Sequence, residues 1–377
     1  MRRTALWVLL AAKAFAGIGV GWDIRWHIVI GRDSFWIAPH VMTYAGVAVA
    51  AMVSFGILAW EGYRTRGRTP AGMLRVAGLV GTRGWHLAWW GMSLTILAAP
   101  IDDLWHRLFG IDVTLWSPPH LLGLAGAQIN GLACLLIAHE LWAARTRTRA
   151  IALLVGATLL FSGFQTGIDP GVRTAFLNGG MWYFTYAALG ALFLTFTLLV
   201  AARLAASRAL PLAIAIGGVL LQLAVIGLGD VGFAVLQPES VVAEAVAADP
   251  TSPIGVAHEI ARRNGNTPGR AFTIRMFPVL PALLMLVFDP RRRPIPAGLA
   301  FGLALYVVNG VMFLRAPAMS HVRPDGLDAL VAVIVTAVAA LAATALAIAF
   351  ERRAGAAPAS APPAGAGAPI APAPLEA

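Results

Sequence analysis

The sequence predicts an all-α fold, a polytopic bundle of about ten transmembrane helices, and three observations predict it. Hydrophobic residues make up 59% of the 377 positions and charged residues only 12%, which leaves a water-soluble fold too little polar side chain to cover its surface. Apolar runs of about 20 residues, the length that spans a bilayer, recur along the chain. Arginine clusters alternate with these runs. The predicted class is therefore an integral membrane protein.

The predicted spans are the apolar stretches at 4–21, 37–60, 84–101, 118–143, 149–166, 181–204, 209–229, 272–289, 295–314 and 327–350. The first stretch also resembles a signal peptide, because Arg2 and Arg3 precede it and Ala14-Phe15-Ala16 looks like a cleavage site. We favour a span, since Lys13 interrupts the apolar region and the internal repeat described below needs this helix. Residues 230–271 are predicted to form a long outer loop.

The arginine clusters predict the orientation. They fall at Arg2/Arg3, Arg64/Arg66/Arg68, Arg145/Arg147/Arg149, Arg203/Arg208, Arg291/Arg292/Arg293 and Arg352/Arg353. With ten spans these are the loops of a single side, which the positive-inside rule assigns to the cytoplasm together with both termini. The net charge of +10 therefore does not indicate nucleic acid. The expected partners are the lipid bilayer and either additional membrane subunits or further copies of this chain, with no nucleic acid.

Three regions follow from this reading. Residues 1–145 form four spans that contain a duplicated motif, and residues 146–353 form six further spans. Residues 354–377 are rich in Ala, Pro and Gly, a composition that predicts a disordered cytoplasmic tail.

The duplicated motif contains the residues with metal-binding chemistry. The first copy reads Trp22-Asp23-Ile24-Arg25-Trp26-His27, Gly31-Arg32-Asp33 and Pro39-His40, and the second reads Asp102-Asp103-Leu104-Trp105-His106, Gly110-Ile111-Asp112 and Pro119-His120. The offset is 79 positions up to the aspartate of each loop and 80 at the last histidine. Roughly 0.2 Asp-x3-His pairs are expected by chance in a chain with eleven Asp and eight His. The two observed pairs therefore indicate a site.

The spacing indicates a metal site because Asp and His four residues apart lie on one helical face, one turn above the other. Pro39 and Pro119 suit the first turn of the returning helices, and Ser117 is a candidate cap of the second. The predicted ligands are Asp23, His27, His40, Asp102, His106 and His120, all at a similar depth on the extracytoplasmic side. The alternative is a set of interfacial polar groups beside an aromatic belt. Clustered ionisable groups at a membrane edge are costly to desolvate without a partner, which favours a metal.

Residue types narrow the choice of metal only partly. Imidazole with carboxylate suits copper, zinc, iron or nickel, and the sole cysteine, Cys134, lies in an apolar run and provides no thiolate cage.

The other polar residues are weaker candidates for a role at the metal site. His86 and His139 are expected near the cytoplasmic ends, His139 beside an arginine of the following loop. His258, Glu259 and His321 are candidate cover groups, and Asp33 and Asp112 are candidates either to orient a ligand histidine or to cap the returning helix.

The run Asp23-x3-His27, Arg32-Asp33-Ser34-Phe35 and Pro39-His40 resembles the copper-site segment in the membrane C subunit of particulate methane and ammonia monooxygenases. The resemblance covers about residues 1–140. It implies copper bound by Asp23, His27 and His40, with Asp102 and His106 near it. That family has Asn-x3-His where this chain has Asp102-x3-His106, and His120 and the last six spans have no counterpart in it. A wider group of uncharacterised bacterial polytopic membrane proteins also resembles this pattern.

The leading hypothesis from these observations is a copper-dependent, monooxygenase-like protein of the bacterial inner membrane that oxidises a small or apolar substrate. Zinc and iron remain alternatives to copper. A metal transport or acquisition protein, or a structural metal-binding subunit of a membrane complex, are the competing functions. Transport would need a second ionisable site deeper in the membrane, where spans one to four show no charged residue except Lys13 between the outer cluster and His86 and His139.

Overall fold

The fold is given by a computed structural model that describes residues 1–31, 34–109, 115–177, 182–263, 277–315 and 324–355. Within these residues the chain forms twelve helices: α1 (Arg2–Val29), α2 (Ala38–Arg64), α3 (Arg83–Phe109), α4 (Pro118–Leu141), α5 (Arg147–Leu177), α6 (Tyr183–Leu204), α7 (Leu210–Leu236), α8 (Val241–Ala248), α9 (Pro253–Arg263), α10 (Val279–Val287), α11 (Pro294–Arg315) and α12 (Gly326–Gly355). The all-α prediction is confirmed. The exception among the described residues is a short antiparallel hairpin of β1 (Leu74–Val76) and β2 (Leu79–Gly81).

Eight of the described helices are long and apolar enough to cross a membrane, namely α1, α2, α4, α5, α6, α7, α11 and α12. This establishes a multi-pass, membrane-type helical protein. The sequence predicts two further spans. One is α3, which is helical throughout but less apolar because it contains four tryptophans and a polar C-terminal end. The other is 272–289, of which only the nine-residue α10 is a described helix.

The segment predicted as an outer loop contains helices. The span before it continues as α7 to Leu236, and α8 and α9 follow within residues 241–263. The predicted tail at 354–377 lies outside the described residues from position 356 onward.

The first four long helices form two hairpins whose packing follows the sequence offsets. A Cβ built on Gly46 of α2 would meet Ala12 and Ala16 of α1 at 2.7–2.8 Å, and one built on Gly126 of α4 would meet Gly91 and Thr95 of α3 at 2.5–2.7 Å. Gly126 lies 80 positions after Gly46, whereas Gly91 lies 79 positions after Ala12 and Thr95 lies 79 positions after Ala16. Small residues at such positions let two helix backbones approach closely inside a membrane.

Arginines at several helix termini gather at one end of the bundle, here called the arginine end. Hydrogen bonds and ion pairs there join helix termini that are far apart in sequence. They connect Arg2 with Glu61, Arg83 with Arg353, Arg149 with Leu204, and Arg203 with Arg291 and Glu351. The β1–β2 hairpin lies at this end as well, where it connects α2 to α3. The C-terminal ends of α1 and α3 and the N-terminal ends of α2 and α4 therefore lie at the opposite end.

Candidate metal centre

The first group of ligand candidates forms where α1 ends and α2 begins. Asp23 and His27 lie one turn apart near the end of α1, and His40 lies in the first turn of α2. The Asp23 Oδ1 atom is 3.4 Å from His27 Nδ1 and 3.1 Å from His40 Nε2. One ligand atom from each residue lies within 4.8 Å of the other two. These three half-buried residues are named the first triplet.

Backbone carbonyls orient both imidazoles of the first triplet. His40 Nδ1 is 3.0 Å from the carbonyl oxygen of Ser34, and His27 Nδ1 is 3.0 Å from that of Asp23. A ring nitrogen that carries its proton towards a carbonyl leaves the lone pair on the other nitrogen. In His40 that other nitrogen is Nε2, the atom that faces the Asp23 carboxylate.

The second triplet repeats this arrangement at the junction of α3 and α4. Asp102 Oδ2 is 3.4 Å from His106 Nε2, and Asp102 Oδ1 is 3.4 Å from His120 Nε2. One ligand atom of each again lies within 4.8 Å of the others. Ser117 occupies the N-cap position of α4 as predicted, but its side chain makes no capping hydrogen bond. The side chains of the second triplet are 26–31% exposed, against 20–22% in the first.

Both triplets fit a metal ion by distance and by donor chemistry. Oδ1 of Asp23 and Oδ1 of Asp102 are buried and face imidazole nitrogens, the first those of His27 and His40 and the second that of His120. Ligand atoms about 2.0–2.1 Å from an ion in tetrahedral geometry would be separated by about 3.3 Å. The three separations that join an aspartate oxygen to an Nε2 atom, those of His40, His106 and His120, are 3.1–3.4 Å and match this value. Two imidazoles and a carboxylate are suitable ligands for copper, zinc or iron.

The six predicted ligands form two groups of three rather than one set. Both groups nevertheless lie at the same end of the bundle. Lys13 Nζ of α1 donates to the carbonyl of Ala127 in α4 at 2.8 Å, which fixes the relative height of these helices. From that contact Asp23 lies ten residues further along α1, about 15 Å, and His120 lies seven residues back along α4, about 10 Å, both away from the arginine end.

The other polar candidates lie apart from the triplets. His86 Nε2 contacts the carbonyl of Leu74, and His139 Nδ1 contacts Arg149 Nη2 at the arginine end, so the predicted arginine neighbour of His139 is present. His258 lies on α9, outside both triplets. Glu259 is engaged locally, since hydrogen bonds from Arg262 and Arg263 lower its pKa to about 2. Asp33, Asp112 and His321 lie outside the described residues.

Sequence reasoning assigned no role to Arg25, although it lies between Asp23 and His27 in the motif. Its side chain is buried, with 1% exposure, and its Nη2 atom is 2.5 Å from Asp230 Oδ1 on α7. A signal for this pair was present, because an arginine near the outer end of a spanning helix needs an acidic partner. Asp230, at the outer end of another span, is such a partner.

Comparisons with protein families, with curated proteins and with solved structures find no match to this chain. The resemblance of Asp23-x3-His27 and Pro39-His40 to a monooxygenase C subunit therefore stays a prediction. Function has to be inferred from the chain's own residues and their geometry.

Proposed function

We propose that this chain is an integral membrane metalloprotein that binds copper at the two Asp/His triplets, for oxidative, monooxygenase-like chemistry on a small or apolar substrate. The observation that supports this proposal best is the pair of triplets, each with two imidazoles and one carboxylate at separations of 3.1–3.4 Å. Three protein ligands per ion leave a coordination position open, as catalytic metal sites require.

The choice of copper is supported by the donor set and by the resemblance of the first motif. Imidazole and carboxylate ligands suit divalent copper, and a thiolate is absent from both triplets, since the sole cysteine, Cys134, is buried within α4. Two histidines with one carboxylate also bind non-haem iron, and related sets bind zinc. Metal analysis of the purified protein decides among the three.

The proposed orientation places both triplets outside the cytoplasm of a bacterial inner membrane. With α3 and the 272–289 segment added to the eight apolar helices, the chain has ten spans and both termini lie on the side of the arginine end. Arginine-rich loops mark the cytoplasmic side of membrane proteins. We also infer that the two hairpins arose by duplication, because the contacts of Gly46 and Gly126 repeat at the motif's own offsets.

An apolar substrate would reach the second triplet from the bilayer. The second triplet is open to an approaching substrate, since its side chains are 26–31% exposed. Asp102, His106 and His120 would hold the ion there. Bound copper supplies O2 activation and one-electron chemistry. A monooxygenation also consumes two electrons and two protons from a reductant such as a quinol, and the second oxygen atom leaves as water.

Oxidation assays test this proposal. We expect membranes that contain the wild-type protein, supplied with copper, O2, a quinol and a short alkane or ammonia, to form an oxidised product. We expect the His27→Ala/His106→Ala variant to form none, because each triplet has lost a ligand. The control is His258→Ala, which changes a histidine outside both triplets and should retain activity.

The same experiment separates the enzyme from a transporter. Vesicles with the wild-type protein should take up no more copper into the lumen than vesicles with the double variant, once the copper bound to the protein is subtracted. Copper uptake that depends on His27 and His106, without any oxidised product, would overturn the proposal in favour of metal transport. If the wild-type and double-variant proteins contained equal amounts of metal, the metal site proposed at the triplets would be disproved.

A further inference from the structure

Arg25 ties the metal-binding end of α1 to α7. Its Nη1 atom donates to the carbonyl of Ile226 at 2.9 Å, its Nη2 atom donates to Asp230 Oδ1 at 2.5 Å, and its guanidinium lies 5.3 Å from the centre of the Phe233 ring. Arg25 is two residues after Asp23, about 200° around the helix. It therefore faces α7 while the first triplet faces α2.

The α1–α7 contact is close because α7 presents glycines to it. A Cβ on Gly229 would lie 2.6 Å from Arg25 Nη1, and one on Gly232 would lie 2.3 Å from the Trp22 ring. Trp26 also stacks on Phe233, with ring centres 5.8 Å apart. Trp22, which precedes Asp23, and Arg25 and Trp26, which lie between Asp23 and His27, are thus packed against one helix.

The start of α8 binds the carbonyl end of α1. Ser240 Oγ donates to the carbonyl of Val29 at 2.6 Å, and the amides of Val241 and Val242 lie 3.0 and 3.4 Å from the carbonyl of Ile30. The last carbonyls of a helix have no partner within the helix. The link from the end of α7 to the start of α8, residues 236–242, is here called the α7–α8 corner. It supplies those partners next to His27.

The second triplet has no equivalent support in the described part of the chain. The position 79 residues after Arg25 is Leu104, which is 53% exposed. Helix α3 packs against α2 and α4, without contacts to α7 comparable to those of α1. The two triplets share ligands and spacing but differ in what holds their first helix.

We infer that Arg25, Asp230 and the α7–α8 corner position the first triplet, so that its metal affinity and geometry depend on α7 while those of the second triplet do not. This inference rests on the proposed function, since it concerns the same metal sites. Two physical effects produce it. The corner fixes the depth and rotation of the helix end that carries Asp23 and His27, and Asp230 neutralises a guanidinium that would otherwise repel a nearby cation.

The test uses two variants of neighbouring glycines on α7. Gly229→Ala places a methyl group against Arg25 Nη1 and displaces the guanidinium from Ile226 and Asp230. Gly227→Ala is the matched control, because its Cβ would meet no atom within 4 Å while it changes helix propensity equally. Each is made in a protein that keeps only the first triplet (His106→Ala/His120→Ala) and in one that keeps only the second (His27→Ala/His40→Ala).

Cu2+ is the probe, measured by equilibrium titration and by its electron paramagnetic resonance spectrum. We expect Gly229→Ala to weaken Cu2+ binding about 10-fold at the first triplet, as the loss of an orienting partner does, and to change the copper hyperfine splitting there. The second triplet should bind unchanged, which also shows that the variant folds. Asp230→Asn should reproduce the effect, and Asp230→Glu should restore part of the affinity.

Each other outcome counts against the inference. Equal affinity in Gly229→Ala and Gly227→Ala at the first triplet would overturn it and leave the proposed function intact. An equal loss at both triplets would show that α7 supports the whole bundle rather than one site, and would also overturn it. Absence of Cu2+ binding in both backgrounds before any change in α7 would overturn the proposed function and this inference with it.

Discussion

Replacement of His27 by alanine is expected to reduce the metal content of the purified protein from two ions per chain to one. The two triplets are separate groups, so the loss of one ligand from the first should leave the second filled. An ion held by one imidazole and one carboxylate should bind more than about 100-fold more weakly, beyond the usual cost of losing only an orienting partner. The measurement is metal analysis after dialysis against a mild chelator.

Matched variants make this result specific. His106→Ala should also leave one ion, the His27→Ala/His106→Ala protein should keep none, and His258→Ala should keep both because His258 lies on α9 outside the triplets. Loss of all metal from either single variant would show that the six residues share one site. Full retention of metal in the double variant would contradict a metal site at either triplet.

Replacement of Gly126 by leucine is expected to destabilise the protein and to weaken the second site selectively. A Cβ at this position would lie 2.5 Å from the carbonyl oxygen of Gly91 and 2.7 Å from the amide of Thr95. Both are backbone atoms of α3, so the strain can be relieved only if α3 and α4 move apart. Overpacking of this kind costs about 1–3 kcal/mol. The displacement should also separate His120 from Asp102 and His106.

Thermal unfolding in detergent and Cu2+ titration of each triplet measure the two consequences. Gly56→Leu on α2 is the control, because a Cβ there would meet nothing within 4 Å and the gain in helix propensity is the same. We expect the control to be at least as stable as the wild type and to keep both sites. Equal stability in the two variants, or equal weakening of both triplets by Gly126→Leu, would contradict the role of Gly126 in setting the α3–α4 spacing.

Local patterns predicted which Asp and His side chains lie together, because their geometry is local. Asp23 with His27, and Asp102 with His106, are each four residues apart on one helix, and a helix of any tertiary context brings such residues onto one face. Pro39 and Pro119 in the first helical turns placed His40 and His120 correctly at helix starts. The span count was harder to predict, since α3 is a full helix whose tryptophans and outer polar residues make it less apolar than its neighbours.

The sequence by itself determined the all-helical membrane class, the arginine end and the six candidate ligands, because hydropathy, charge bias and four-residue spacing act over one helix or one loop. The tertiary structure alone decided that the six ligands form two groups, that Arg25 pairs with Asp230 across 205 positions, and that α8 binds the end of α1. These contacts depend on how distant helices pack, and small residues such as Gly126 and Gly229 determine how closely they approach.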